Sequence, residues 1–215
     1  MVDVNVNKLD FRGLTLYTAF YQKMAEYIVK KTRRFSFSEP FIVSHINIHN
    51  LFLLNKNKDF KSLINEKTFL IFDGIGLKIA AFIAGCGRHF DMNGTDLFPY
   101  VMKESVKNDL RIYLLGAKPS VISDAVKNTK KRFENANIAG YHHGYFEASD
   151  EANIVEKINR CNPDILIVGM GFPKQEKFSI KYRHMLNAKV VWNVGGLFDI
   201  MSLKKPRTPL WMRKV

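Results

Sequence analysis

Pro163-Asp164-Ile165-Leu166-Ile167-Val168-Gly169-Met170-Gly171-Phe172-Pro173-Lys174-Gln175-Glu176 is the stretch that decides the fold. Its centre, 165–168, is a short aliphatic run with no polar alternation, the pattern of a strand buried on both faces. Glycines end the run, and Pro173 presets the first turn of an amphipathic stretch over 175–186. The same sequence of events recurs in both directions along the chain. Apolar runs at 41–46, 69–72, 111–115 and 190–194 alternate with helix-like segments at 16–31, 59–65, 75–84, 96–107, 120–133 and 151–161. Uninterrupted strands alternating with helices predict an α/β fold, Rossmann-like, with a mainly parallel sheet covered by helices on both faces. No repeat, low-complexity tract or Gly/Ser/Pro linker divides the sequence, so the expectation is one domain over 1–215.

In such sheets ligands bind beyond the carboxyl ends of the strands. Ser44 and Asn47 stand at the end of 41–46. The run 69–72 is followed by Asp73-Gly74-Ile75-Gly76, and 111–115 by Gly116-Ala117-Lys118-Pro119. Gly169 and Gly171 follow 165–168, with Lys174 close behind, and Gly195-Gly196 follows 190–194. Four of the five strands thus enter a glycine turn and then a helix. Glycine lets backbone amides approach a ligand closely, and helix N-termini favour anions, so a phosphate-bearing ligand is predicted. Neither G-x-G-x-x-G with its acidic ribose partner nor a Walker Gly-Lys-Ser/Thr is present, which argues against a nicotinamide dehydrogenase and a P-loop enzyme. Asp73 sits where a carboxylate would be partly desolvated and tunable as a base. It reads equally well as the cap of a helix starting near Gly74. Gln175 and Glu176 read as ordinary helix-start residues, and Lys174 as a phosphate partner or a solvated cation. His142 and His143 are adjacent and lack companions at metal-ligand spacing, so no metal is expected.

The 215 residues are 47% hydrophobic and 25% charged, enough for a globular core, but 33 Lys and Arg against 20 Asp and Glu give a net charge of +13. Such a balance attracts polyanions. Lys30, Lys31, Arg33 and Arg34 form one basic group, Lys130 to Arg132 another. A third, Lys204, Lys205, Arg207, Arg213 and Lys214, encloses Leu210, Trp211 and Met212 and suits an anionic membrane interface. Each group also reads as a plain solvated face. Two lone cysteines suggest a reducing compartment. The opening residues lack signal-peptide character, and no run approaches the roughly 18 apolar residues of a spanning helix. The expectation is a soluble or peripheral cytoplasmic protein. Charge alone would permit a nucleic-acid-binding module without catalysis, but no aromatic–basic surface motif, zinc finger or recognition helix supports it, so no nucleic-acid partner is expected.

Further motifs place these strand ends in a recognisable order. Asp73-Gly74-Ile75-Gly76 is followed by Asn93-Gly94-Thr95-Asp96-Leu97, Leu115-Gly116-Ala117-Lys118-Pro119 and His143-Gly144-Tyr145-Phe146. After them come the long stretch quoted above, Val194-Gly195-Gly196-Leu197-Phe198-Asp199 and Arg207-Thr208-Pro209-Leu210-Trp211. Over residues 40–212 this order resembles the WecG/TagA/CpsF glycosyltransferases. The resemblance implies transfer of a HexNAc, HexNAc-uronate or glucose-type sugar from a UDP-sugar to a polyprenyl-diphosphate-linked acceptor, in bacterial surface polysaccharide or teichoic acid synthesis. It also implies inversion at the anomeric centre, no cofactor or metal, and work at the inner face of the cell membrane. The sequence is compatible with a homo-oligomer.

By position, the resemblance makes Asp73 the general base and places Gln175 near the donor sugar and diphosphate. Substrate contacts fall to Ser44, Asn47, Gly74, Asn93, Thr95, Gly144 and Arg207, beside Gly116, Lys118, Gly169, Gly171, Lys174 and Gly195 from the strand ends. Two departures stand out. Many members carry an Arg at the position of Asp91, set to neutralise the leaving diphosphate; Arg88, Lys118 or Arg207 are the candidates to replace it. The basic helical appendage that usually follows the Arg-x-Pro-x-Trp region is expected to be short or absent.

Overall fold

The structure, a computed structural model, describes residues 6–33, 39–87 and 89–204. Among them eight strands form a single sheet: β1 (Asn7–Phe11), β2 (Leu14–Thr18), β3 (Phe41–Ile46), β4 (Phe69–Phe72), β5 (Ile112–Gly116), β6 (Ile138–His142), β7 (Ile165–Gly169) and β8 (Val190–Asn193). Their spatial order is β1-β2-β4-β3-β8-β7-β5-β6. Every neighbouring pair is parallel except β1 with β2.

The apolar runs form central strands because both faces of the sheet are covered. Every residue of β4, β5, β7 and β8 is buried. Alternate residues serve opposite faces: Ile165 and Ile167 of β7 join one core cluster, Leu166 and Val168 the other. The first cluster is roofed by α1 (Tyr21–Lys31), α5 (Gly94–Lys107), α6 (Pro119–Arg132) and α9 (Leu197–Met201). The second is roofed by α2 (Ile48–Asn55), α3 (Lys58–Lys67), α4 (Ile75–Ile83), α7 (Glu151–Arg160) and α8 (Lys174–Lys181). The expected mainly parallel sheet with helices on both faces is therefore the observed one.

Trp192, the largest fully buried side chain, sits on β8 and donates its indole N–H to His45 Nε2 at 2.9 Å. Indole nitrogen can only donate, so Nε2 must accept and His45 is neutral. Burial agrees, holding the His45 pKa down to about 4.

Several elements differ from the sequence reading. The segment expected to be helical from residue 16 begins instead as β2, whose Leu14, Leu16 and Thr18 are buried in strict alternation, and the helix starts at Tyr21. β2 pairs with β1 through a two-residue turn in which Arg12 (φ 51°) and Gly13 (φ 74°) are both left-handed, the geometry that matches strand twist in a tight hairpin. β6, an edge strand, and α2 were also not read from the sequence. The helix expected over 175–186 ends at Lys181.

The topology opens a crevice. After β5 and β8 the chain turns to the first face as α6 and α9, whereas after β7 it turns to the second as α8. The loops therefore part above the carboxyl end of β7.

Candidate active site

A cavity of about 600 Å³ occupies that crevice. It is lined by Ala117, Lys118, Ser120, Val121, Gly144, Tyr145, Gly169, Met170, Gly171, Lys174, Gly195, Gly196, Asp199 and Lys204. This lies within the usual size of a pocket for a small ligand such as a nucleotide. Its floor exists because three backbones touch. A Cβ on Gly116 (φ 149°) would lie 2.2 Å from the Gly169 carbonyl oxygen, and one on Gly144 would lie 3.0 Å from Gly116 Cα. Side chains there would fill the floor and push β5 and β7 apart. Ala117 N–H donates to Gly169 O at 3.0 Å and Gly144 N–H to Ala117 O at 2.9 Å, so the loops after β5, β6 and β7 are tied together.

The pocket is positive on several sides. Lys118 stands at the N-cap of α6 with its side chain exposed, and Pro119 occupies the first turn. Lys174 opens α8, donates to Gly144 O at 2.9 Å and lies 5.1 Å above the Phe146 ring. Lys204 reaches Ser120 Oγ at 3.1 Å and Asp124 at 2.8 Å. Two helix N-termini and the Lys118 and Lys174 ammonium groups give this wall of the cavity a positive character that favours an anion.

Asp73 lies on the same edge of the sheet but outside this lining. It follows β4, which is separated from β8 by β3 alone. Two strand spacings put it about 10 Å to the side of the Gly195 loop. Its amide donates to Ile46 O at 3.0 Å, continuing the β3–β4 ladder. The helix-capping role left open by the sequence is not the one it takes: Gly74 (φ 90°) is the N-cap of α4, and no side chain caps that helix. Burial first, and the nearby Asp91 carboxylate second, push the Asp73 pKa up to about 7.

Asp91 arrives by a long-range route. Met92 N–H donates to Phe72 O at 3.1 Å, laying this segment along the end of β4, and Asp91 Oδ1 accepts the Gly74 N–H at 2.6 Å. Burial raises its pKa as well, against the pull of that hydrogen bond. The position at which the resemblance leads one to expect Arg is therefore a second carboxylate beside the first.

Beneath the pocket runs a buried polar chain. Gly195 N–H donates to Gln175 Oε1 at 3.0 Å, and Gln175 Nε2 donates to Glu176 Oε1 at 2.8 Å. Ser179 Oγ reaches both Gln175 O and Asn193 Oδ1 at 2.8 Å, and Asn193 Nδ2 donates to Ser44 Oγ at 2.8 Å. Glu176 has no exposed surface, and its Oε2 has no hydrogen-bond partner within reach. Burial pushes its pKa up to about 7, opposed mainly by the bond from Gln175. A carboxyl so enclosed is held mainly as the neutral acid below pH 7.

Of the residues singled out in the sequence, Lys118, Gly144, Gly169, Gly171, Lys174 and Gly195 line the cavity, and Gly116 forms its floor. Ser44 and Gln175 lie under that surface, where they hold Asn193 and the Gly195 loop. Asn47 and Asn93 cap α2 and α5, accepting from the amides of Asn50 and Asp96 at 2.9 Å each. Gly74 is bonded to Asp91 and Thr95 lies in the first turn of α5; neither lines the cavity. Arg88 and Arg207 lie outside the described residues. Tyr145, Ser120, Asp199 and Lys204 line the cavity although none was assigned to a ligand from the sequence; Tyr145 and Asp199 stand in the motifs around Gly144 and Gly195, and Lys204 in the last basic group. No group of three or more His, Cys, Asp or Glu suited to a metal occurs among the described residues, and none of their helices is long and apolar enough to cross a membrane.

The model of the glycosyl transferase WecG/TagA/CpsF family matches residues 9–215. Over 171 residues the chain is 33% identical to the N-acetylglucosaminyldiphosphoundecaprenol N-acetyl-beta-D-mannosaminyltransferase of Bacillus subtilis (strain 168), an alignment covering 80% of this chain and 66% of that protein. Proteins of the same name from Staphylococcus aureus (strain NCTC 8325 / PS 47) and Bacillus spizizenii (strain ATCC 23059 / NRRL B-14472 / W23) are each 30% identical. Those alignments cover 83% and 72% of this chain and 66% and 59% of theirs. The chain thus spans just under two thirds of the length of these relatives.

Proposed function

Because this chain belongs to the WecG/TagA/CpsF glycosyl transferase family, we propose that it is an inverting, metal-independent glycosyltransferase. In this reading it moves an N-acetylhexosamine, with N-acetylmannosamine first among candidates, from a UDP-sugar to a sugar on a polyprenyl diphosphate. The work is peripheral, at the inner face of the cell membrane. The relatives' names supply the sugar and the lipid acceptor. The observation that carries the chemistry is the Asp73 carboxyl, raised to about 7 at the end of β4, beside a glycine-floored cavity ringed by Lys118, Lys174 and Lys204.

The acceptor hydroxyl oxygen attacks C1 of the donor sugar from the side opposite UDP. Its proton passes to ionised Asp73, the new C1–O bond forms, and the electron pair of the breaking C1–O bond leaves with UDP. The growing charge on the diphosphate is met by Lys118, Lys174 and the amides at the starts of α6 and α8. Asp91 gives no help there. Gln175 acts from below by fixing the Gly195 loop against the diphosphate.

A panel of UDP-sugars tests the reading. The donor should raise the melting temperature by about 5–10 °C near a hundredfold excess over its Kd. It should also be transferred, with inverted configuration, to a GlcNAc–diphosphate–polyprenyl acceptor. A protein that binds no UDP-sugar, or that binds one and returns the retained anomer, would refute it.

A further inference from the structure

α2 and α4 leave the catalytic edge side by side, α2 directly after Asn47 and α4 two residues after Asp73. They cross where Ile48 packs on Gly76: an added Cβ there would lie 2.9 Å from Ile48 Cγ2. Their inner faces are buried through Leu51, Leu54, Leu77 and Ala81. Their outer faces are apolar too, with Ile48 45%, Phe52 56%, Ile79 50%, Phe82 57% and Ile83 79% exposed. A groove of about 360 Å³ runs along them, walled by Phe11, Ile48, Leu51 and Phe52 with Arg12 and Asn55 at its rim. Helices apolar on both sides belong in a core or against lipid, and exposed apolar side chains gathered on two neighbouring helices mark an interaction surface.

The two helices themselves carry charge of one sign: no Asp or Glu occurs between Asn47 and Lys58 or between Gly74 and Gly87, whereas Lys56, Lys58 and Lys78 fall in those stretches. Lys56 Nζ sits 4.4 Å over the Phe52 ring, a cation laid against an exposed apolar side chain. A second copy docked here face to face would bring like charges together. An anionic bilayer offers both complements at once, acyl chains for the apolar side chains and phosphates for the lysines.

We propose that the outer face of α2 and α4 seats this protein on an anionic membrane, with Phe52, Ile79, Phe82 and Ile83 at headgroup depth. The proposal deepens the glycosyltransferase reading and rests on it for the acceptor being lipid-linked. α2 and α4 both start at the sheet edge that carries Asp73, so the seated face borders that edge.

Co-sedimentation with vesicles of roughly equimolar phosphatidylglycerol and phosphatidylcholine tests it, with phosphatidylcholine vesicles alongside. The wild-type protein should bind the anionic vesicles, release with salt, and bind the neutral ones weakly. The Phe82→Glu/Ile83→Glu double variant should lose about tenfold or more in partitioning, with unchanged melting temperature and UDP affinity; Phe52→Ser should lose less. Wild-type partitioning by that folded variant, or no binding by the wild type, would overturn the proposal. So would a dimer dispersed by the same variant in sedimentation velocity. Transfer to a short water-soluble acceptor separates the two readings: its absence in the wild type counts against the glycosyltransferase, and its loss in the variant alone counts against a membrane role for this face.

Discussion

Asp73→Asn is expected to cut the rate of sugar transfer by about 10³-fold, within the usual range for loss of a general base, and to leave UDP affinity nearly unchanged. The asymmetry follows from position. The lysines and glycine loops that would hold the diphosphate lie over β5, β7 and β8, whereas Asp73 stands beyond β3. Asparagine preserves the shape and the backbone bond to Ile46 O but cannot take a proton from the acceptor hydroxyl. Single-turnover transfer and UDP calorimetry on the same preparation check both halves. Equal loss of binding and rate would mean that Asp73 organises the pocket and is no base.

Glu176→Gln should stabilise the protein, and the gain should depend on pH. The folded state holds Glu176 at a pKa of about 7, against 4.5 for an ordinary glutamic acid. Below about pH 4.5 both folded and unfolded chains carry the proton and the residue adds no pH dependence. As pH rises toward 7 the unfolded chain loses its proton first, so stability falls; above 7 the folded state carries the full penalty, roughly 3 kcal/mol. Glutamine keeps the contacts to Gln175 and cannot ionise. Melting temperatures should therefore coincide with wild type near pH 4.5 and exceed it by roughly 5–10 °C at pH 8. A variant less stable at pH 8 would show that the ionised carboxylate is the form the fold requires.

The two acids illustrate what a sequence conveys. Asp73 was legible because it ends an unbroken apolar strand, and strand ends are where α/β sheets place chemistry. Glu176 was not: a glutamate beside Gln175 at a helix start looks solvated, and only the packing of α8 beneath β3 and β8 buries it. Asp91 was visible as a departure from the resembled pattern, but its bond to Gly74 depends on the Met92–Phe72 contact made after the chain has run out along α4 and back. The central strands 41–46, 69–72 and 165–168 were readable from continuous aliphatic runs. β2 was missed because its period-2 alternation runs straight into the helical pattern of α1, and β6 because a half-buried edge strand interrupted by Gly140 carries little apolar signal. The glycine turns do line a cavity, yet they could not say that Gln175 and Ser44 lie beneath it.

The most direct test of Asp73 as the base is the pH dependence of kcat/KM for the wild type and Asp91→Asn. Transfer should rise with pH through a single ionisation near 7. Removing the neighbouring charge should move that limb to lower pH, though burial keeps it above the 3.8 of an ordinary aspartate. A rate independent of pH from 5 to 9, or a limb that stays in place when Asp91 loses its charge, would contradict the account.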